Sequence, residues 1–203
     1  VRDGCLTSLT AGGRFPQLKD VVLVGHSGGG QFVQRYALVG KYEPAEGIRC
    51  RFVVSAPSSY AYPSGERYSI RRRKFIVPDQ KTREAVPSYN RWGYGLGAPY
   101  GYFKAADPAV LAQRYVERNV FYLCGENDNN PNDSAIGKSD RAIMQGRHRL
   151  ERMQVFAAYL QQVFGDEIGQ RHQFAVVPRM GHFGRGTMNS ESGLRFLFAP
   201  IDD

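Results

Sequence analysis

Cysteine is scarce in this chain of 203 residues, and its distribution excludes two kinds of small domain. Cys5, Cys50 and Cys124 are odd in number, far apart in sequence and without a CxxC pair. Neither a disulfide framework nor a zinc-finger type of site is therefore expected. Cys124 ends an apolar run, which predicts a buried thiol.

Long hydrophobic runs and concentrated charge are also absent. No stretch approaches the roughly 18 consecutive apolar residues that a membrane span requires, and no signal peptide is recognisable at the beginning. The net charge of +8 and the pI near 9.5 favour acidic partners, but the basic residues are spread along the chain. The length and the ordinary composition predict one domain over residues 1–203. No metal site is suggested.

Four short apolar runs predict the strands of a mostly parallel sheet, at residues 20–25, 50–55, 119–124 and 173–177. Helical periodicity predicts helices over 31–39 and over 139–164, and a last short helix begins at Asn189 or Ser190. Alternating strands and helices predict a doubly wound α/β fold. The continuous run of Val and Leu in the first strand predicts burial on both faces.

Residues 58–113 interrupt this alternation. The segment mixes aromatic residues, such as Tyr60, Tyr62 and Trp92, with many Gly, Pro and Arg residues. We expect an inserted cap after the second strand, which could form a pocket for an apolar or aromatic acyl group, and the alternative is a long surface loop. The basic run Arg71 to Lys74 within it could attract an anionic substrate, although such runs are usually only solvated.

The sequence Gly25-His26-Ser27-Gly28-Gly29 matches the G-x-S-x-G motif at the end of a predicted strand and the start of a predicted helix. In this turn the serine is strained and projects its hydroxyl, and we expect side chains at Gly25 or Gly29 to collide with the backbone. The amide of Gly28 and the helix dipole would stabilise an oxyanion. The alternative is a glycine-rich turn that binds phosphate or merely closes tightly.

A serine nucleophile needs an imidazole base held by a carboxylate, in the chain order Ser, acid, His for this motif. Asp128 follows the third strand and is the predicted acid, with Glu126 as second choice and backbone capping as the alternative role. His182 lies between glycines after the fourth strand and is the predicted base. His26, His148 and His172 are expected to be structural or solvated.

These motifs resemble the α/β-hydrolase fold superfamily, from the strand before Ser27 to the last helix. The resemblance implies a preceding half with the first strands and the loop that donates the second oxyanion amide, and nothing before Asp20 resembles that loop. The chain also starts at Val1 without a methionine, in what looks like the tail of a helix. We therefore expect an incomplete N-terminus with an exposed sheet edge, and an insertion between Asp128 and His182.

Three functions follow from this reading. The first is a serine hydrolase that forms an acyl-enzyme on Ser27, needs no cofactor and acts on a small-molecule ester or, less favoured, an amide. The second is a truncated or non-catalytic relative that binds ligands or partners without turnover. A nucleic-acid module ranks last, because no binding motif accompanies the basic and aromatic residues, and no nucleic-acid partner is expected.

Overall fold

A parallel four-stranded sheet forms the centre of the structure, a computed structural model that describes residues 2–10, 15–98 and 101–199. The strands of the chain are β1 (Asp20–His26), β2 (Arg49–Ser55), β3 (Arg67–Ser69), β4 (Lys74–Ile76), β5 (Asn119–Gly125) and β6 (His172–Val177). The main sheet has the order β1-β2-β5-β6, and β3 and β4 form a separate antiparallel hairpin. The four predicted parallel strands are thus confirmed.

Helices cover both faces of the sheet. They are α1 (Arg2–Thr10), α2 (Gly28–Val39), α3 (Gln80–Ala85), α4 (Pro108–Val116), α5 (Asp140–Ile143), α6 (Arg149–Phe164), α7 (Gly184–Met188) and α8 (Glu191–Phe198). The helices α2, α4 and α6 pack over the larger core, while α7 and α8 pack over a smaller one around Phe121 and Phe196. This layering confirms the doubly wound α/β class. Ser190 caps α8 by accepting the Gly193 N–H, as expected.

The strand β1 differs from its prediction because it lies at the edge of the sheet. Val24 is 47% exposed, and the other residues of β1 are only partly buried. The prediction of burial on both faces was therefore wrong. The apolar run of β1 is that of a central strand, whereas in this structure β2 is its only sheet neighbour among the described residues. Val1, which was predicted to lie in the tail of a helix, is outside the described residues.

The long helix predicted over residues 139–164 is broken. It consists of α5 and α6, and Gly146 between them has φ +132°, a backbone conformation that helices do not contain. The interruption places Arg149 in the first turn of α6. The apolar periodicity runs through both pieces, which is why the sequence pattern alone does not reveal the break.

The segment 58–113 contains the β3–β4 hairpin, α3, a short 3-10 turn at Gly101–Phe103 and the start of α4, which continues to Val116. Tyr60 and Tyr62 are fully buried against Phe156 of α6, with ring centroids 4.5 and 5.0 Å apart. These two side chains therefore fill the core and do not line an open pocket. Cys124 is buried as expected, and Cys5, Cys50 and Cys124 are all unbridged. Over the described ranges, no helix is both long and apolar enough for a membrane crossing.

Candidate active site

Ser27 occupies the sharp turn between β1 and α2. Its backbone has φ 56° and ψ −117°, a conformation that non-glycine residues rarely adopt and that persists only where the surroundings impose it. The Ser27 N–H donates to the Ser55 carbonyl at 2.9 Å, and the Ser27 carbonyl accepts from the Gln31 N–H at 3.0 Å. These bonds hold the serine at the carboxyl end of β1.

The glycines around Ser27 have different roles. A Cβ at Gly25 would lie 2.3 Å from the Gly29 carbonyl oxygen, so only glycine fits there. A Cβ at Gly29 would meet nothing within 4 Å, so the expected collision at that position was wrong. The second crowded position is Gly30, where a Cβ would lie 2.5 Å from the Ser55 carbonyl oxygen. Gly29 closes the turn with its backbone, and Gly30 lets α2 approach β2.

Gly28 is exposed and is the first residue of α2. The N–H groups in the first turn of a helix have no acceptor within that helix, and they form the positive end of its dipole. This position provides a hydrogen-bond donor directly after Ser27, in a place suited to an oxyanion.

Two loops at the carboxyl ends of β5 and β6 bring Asp128 and His182 together. The Asn127 N–H donates to the Met180 carbonyl at 2.8 Å, and the Arg179 N–H donates to Glu126 Oε2 at 2.7 Å, so the loops are tied to each other. Glu126, the second-choice acid, is thereby turned to the backbone of the neighbouring loop. The carboxylate that contacts His182 belongs to Asp128.

His182 lies between the serine and the carboxylate. Its Nδ1 is 2.7 Å from Asp128 Oδ2, and its Nε2 is 3.0 Å from Ser27 Oγ. Because a carboxylate only accepts hydrogen bonds, Nδ1 carries the proton and Nε2 accepts from the Ser27 hydroxyl. Asp128 is buried, whereas the His182 side chain is 24% exposed. This continuous chain of hydrogen bonds leaves the imidazole able to take the serine proton.

Arg149 is a part of this region that the sequence analysis missed. Its side chain is only 1% exposed, and its Nη1 donates to Asp128 Oδ1 and to Asp133 Oδ2, both at 3.1 Å. The Leu150 N–H also donates to the Asp128 carbonyl oxygen at 3.2 Å, so the beginning of α6 lies against the loop that carries Asp128. The bond from Arg149 holds the pKa of Asp133 below its usual range. Arg149 was missed because one continuous helix was predicted over residues 139–164, whereas the break at Gly146 puts Arg149 at the start of a helix.

Comparisons with known proteins give matches among solved structures only. Neither a known protein-family profile nor a curated protein sequence matches the chain. A structure described as poly(aspartic acid) hydrolase-1 from Sphingomonas sp. KT-1 matches with a TM-score of 0.60 and 20% identity, over 91% of this chain and 56% of that one. LpqC, described as a poly(3-hydroxybutyrate) depolymerase from Bordetella parapertussis, matches with a TM-score of 0.53 and 21% identity, over 91% and 51% of the two chains.

The parallel sheet, its flanking helices and these likenesses agree with the resemblance found in the sequence. The chain has an α/β-hydrolase fold. It spans about half the length of the solved structures it matches.

His26 lies beside His182 in this site. The two ring centroids are 4.5 Å apart, and His26 Nδ1 lies 2.9 Å from Ser55 Oγ. Burial, and then the nearby charge of His182, lower the pKa of His26. His26 is thus a neutral neighbour that packs beside the imidazole of His182. A Cβ at Gly184 would lie 2.9 Å from the His26 ring, so the backbone that follows His182 packs tightly against this ring.

The other two histidines have structural contacts, as expected. His148 caps α6 by accepting the Glu151 N–H at 3.2 Å. His172, the first residue of β6, is buried between Tyr122 and the Tyr115 carbonyl oxygen.

The basic run from Arg71 to Lys74 lies at the exposed tip of the β3–β4 hairpin, away from the three site residues. The backbone of the neighbouring Phe75 bonds to Gln162 near the end of α6, while Arg149 at the start of α6 bonds to Asp128. Gln162 lies thirteen positions after Arg149 in α6, which corresponds to roughly 20 Å along the helix axis. The geometry therefore gives this run no part in holding a small substrate at Ser27.

Proposed function

We propose that the chain carries the catalytic centre of a serine hydrolase that cleaves an ester bond, and an amide bond less readily, through an acyl-enzyme on Ser27. The single observation that carries the proposal is the hydrogen-bonded series Ser27, His182 and Asp128 at the carboxyl edge of the sheet. A serine hydroxyl becomes a useful nucleophile only beside a base of this kind.

In the proposed reaction, Ser27 Oγ attacks the substrate carbonyl while its proton passes to His182 Nε2. Asp128 accepts the Nδ1–H bond throughout and stabilises the imidazolium. The Gly28 amide donates to the oxyanion. Collapse of the tetrahedral intermediate breaks the ester bond, and the alcohol leaves with the proton from Nε2. A water molecule, deprotonated by His182, then hydrolyses the acyl-enzyme and restores Ser27.

The solved structures with the same fold support a hydrolase in general terms. Their descriptions name a poly(aspartic acid) hydrolase and a poly(3-hydroxybutyrate) depolymerase. The first of these polymers is amide-linked and the second is ester-linked. We propose a small ester as the first substrate to test, because an alkoxide leaves more readily than an amide nitrogen.

The test is turnover of short-chain and aromatic nitrophenyl esters by the purified chain, together with its Ser27→Ala and Ser8→Ala variants. Ser8 is an exposed serine of α1 and serves as the matched control. We expect release of nitrophenol by the parent and by Ser8→Ala only, and an acyl group on the peptide that contains Ser27. Equal turnover by Ser27→Ala would contradict the proposal.

A ligand-binding domain without turnover is the second candidate. The observation that favours it is the coverage of only 56% and 51% of the matched structures, because residues outside that share could be needed for catalysis. Saturable binding of an ester, measured by calorimetry on a folded sample that releases no alcohol, would select this function.

A further inference from the structure

The groups behind Asp128 form a small charge cluster whose purpose is not explained by the three site residues. Arg149 donates from a single nitrogen, Nη1, to both Asp128 and Asp133. Its Nε and Nη2 are buried and have no hydrogen-bond partner among the described residues. A buried guanidinium is costly unless its charge is paired, so the two carboxylates are what compensates this charge.

We propose that Arg149 and Asp133 are positioning residues that set how readily His182 takes a proton; this inference rests on the proposed function. Asp128, Asp133 and Arg149 together carry a net charge of −1, which an imidazolium at His182 brings to zero. Asp133 thus offsets Arg149, and the charge of Asp128 remains effective toward His182.

The charged and titratable groups joined to His182 directly or through Asp128 lie on several elements. They are His26 at the end of β1, Asp128 after β5, Asp133 in the loop that follows it, and Arg149 at the start of α6. His26 is kept neutral by burial and by the proximity of His182. The variable charges near the base are therefore those of the Asp128, Arg149 and Asp133 cluster.

This arrangement predicts opposite effects for two substitutions. Asp133→Asn removes a negative charge and leaves Arg149 to pull on Asp128 alone, so protonation of His182 should require a lower pH. Arg149→Met removes the positive charge, so protonation should occur at a higher pH. By Coulomb's law at the effective dielectric of a partly buried site, each shift is roughly 0.5–1 pH unit. The Asp133 effect should be the smaller, because its side chain is 28% exposed.

The experiment follows the ring resonances of His182 by NMR against pH, assigned with His182→Ala, and the rate of fluorophosphonate labelling of Ser27 over the same range. Arg149→Lys, which keeps the charge, should restore the parent midpoint. Glu126→Gln is the matched control, because it removes one negative charge from the same loop at an exposed residue outside the cluster, while the amide oxygen can still accept from the Arg179 N–H. If Arg149→Met does not fold, Asp133→Asn still decides, since Asp133 is partly exposed.

The expected result is a lower midpoint in Asp133→Asn and a higher one in Arg149→Met, in both the NMR titration and the acid limb of the labelling rate. If Arg149 and Asp133 only hold the loop of Asp128 in place, both variants should label more slowly while their His182 titration midpoints stay together. That result would overturn the inference. If the NMR midpoints of the two variants move in opposite directions but Ser27 of the parent protein is never labelled, the proposed function is overturned and the charge coupling stands.

Discussion

Two histidines lie at opposite ends of β6 and use both ring nitrogens in opposite ways. His172 begins the strand, with Nδ1 2.9 Å from the Tyr122 hydroxyl and Nε2 2.9 Å from the Tyr115 carbonyl oxygen. His182 follows the strand, with Nδ1 on Asp128 and Nε2 on Ser27. A carbonyl oxygen only accepts, so His172 carries its proton on Nε2, whereas His182 carries it on Nδ1.

The surroundings of the two rings differ in charge as well. His172 is almost completely buried among neutral partners, and burial lowers its pKa to about 4. His182 is partly exposed, and its partner at Nδ1 is the Asp128 carboxylate rather than a neutral group. The partner of the ring and its access to solvent, rather than hydrogen bonding as such, therefore distinguish the structural histidine His172 from the proposed base His182.

The largest expected effect comes from removing the negative charge of Asp128, which contacts His182 but has no counterpart at His172. In Asp128→Asn the new amide can donate to His182 Nδ1. This favours the tautomer with the proton on Nε2, which cannot accept from Ser27. We expect the rate of fluorophosphonate labelling to fall by about 10⁴-fold. Glu126→Gln is the control and should change the rate by only a few-fold. If Asp128→Asn were labelled at nearly the rate of the parent, the Asp128 carboxylate would not be what distinguishes His182 from His172.

The second effect concerns His172 and the dependence of stability on pH. An unfolded histidine binds a proton near pH 6.5, while the folded His172 binds one only near pH 4. As the pH falls through this window the unfolded state gains protons first, so the free energy of unfolding should decrease, by roughly 3 kcal/mol in total. Above pH 6.5 this contribution is constant.

Urea unfolding of the parent and of His172→Phe at several pH values between 7 and 4 measures this term. The variant loses stability at every pH because Tyr122 and Tyr115 lose a partner, but its decrease toward acid should be smaller than that of the parent. Identical slopes in the two proteins would show that His172 does not titrate as its burial demands.

The smallest expected effect tests whether the neutral contacts of His172, at the start of β6, influence the site that follows its end. Tyr122→Phe removes the hydroxyl that bonds to His172 Nδ1 and lies 2.5 Å from the Tyr115 hydroxyl. We expect the free energy of unfolding to fall by about 1 kcal/mol, since the lost bonds join neutral groups. Labelling of Ser27 at pH 7 should stay within a factor of two. A tenfold slower rate would mean that the neutral cluster and the site are coupled.

The sequence predicts what depends on local motifs. The strand before Ser27, the glycine turn and the order of Asp128 and His182 follow from short patterns whose meaning survives in most contexts. The structure brings these three side chains into contact, while their catalytic roles remain a proposal. The parallel sheet is likewise predictable, because each strand is a short run between turn residues.

The remaining features depend on contacts between distant parts of the chain. Arg149 binds Asp133 and Asp128 only because a helix ends before Gly146 and another begins after it, and the apolar pattern continues through that break. The crowding at Gly30 comes from the Ser55 carbonyl of a neighbouring strand. The edge position of β1 depends on which strand lies beside it. None of these contacts leaves a mark at one place in the sequence.

Covalent labelling by a fluorophosphonate probe, located by peptide mass spectrometry, tests most directly whether Ser27 is an activated nucleophile. We expect one modified residue, Ser27, in the parent chain and no modification in Ser27→Ala. A folded parent protein that remains unmodified, or one modified at another serine, would contradict this expectation.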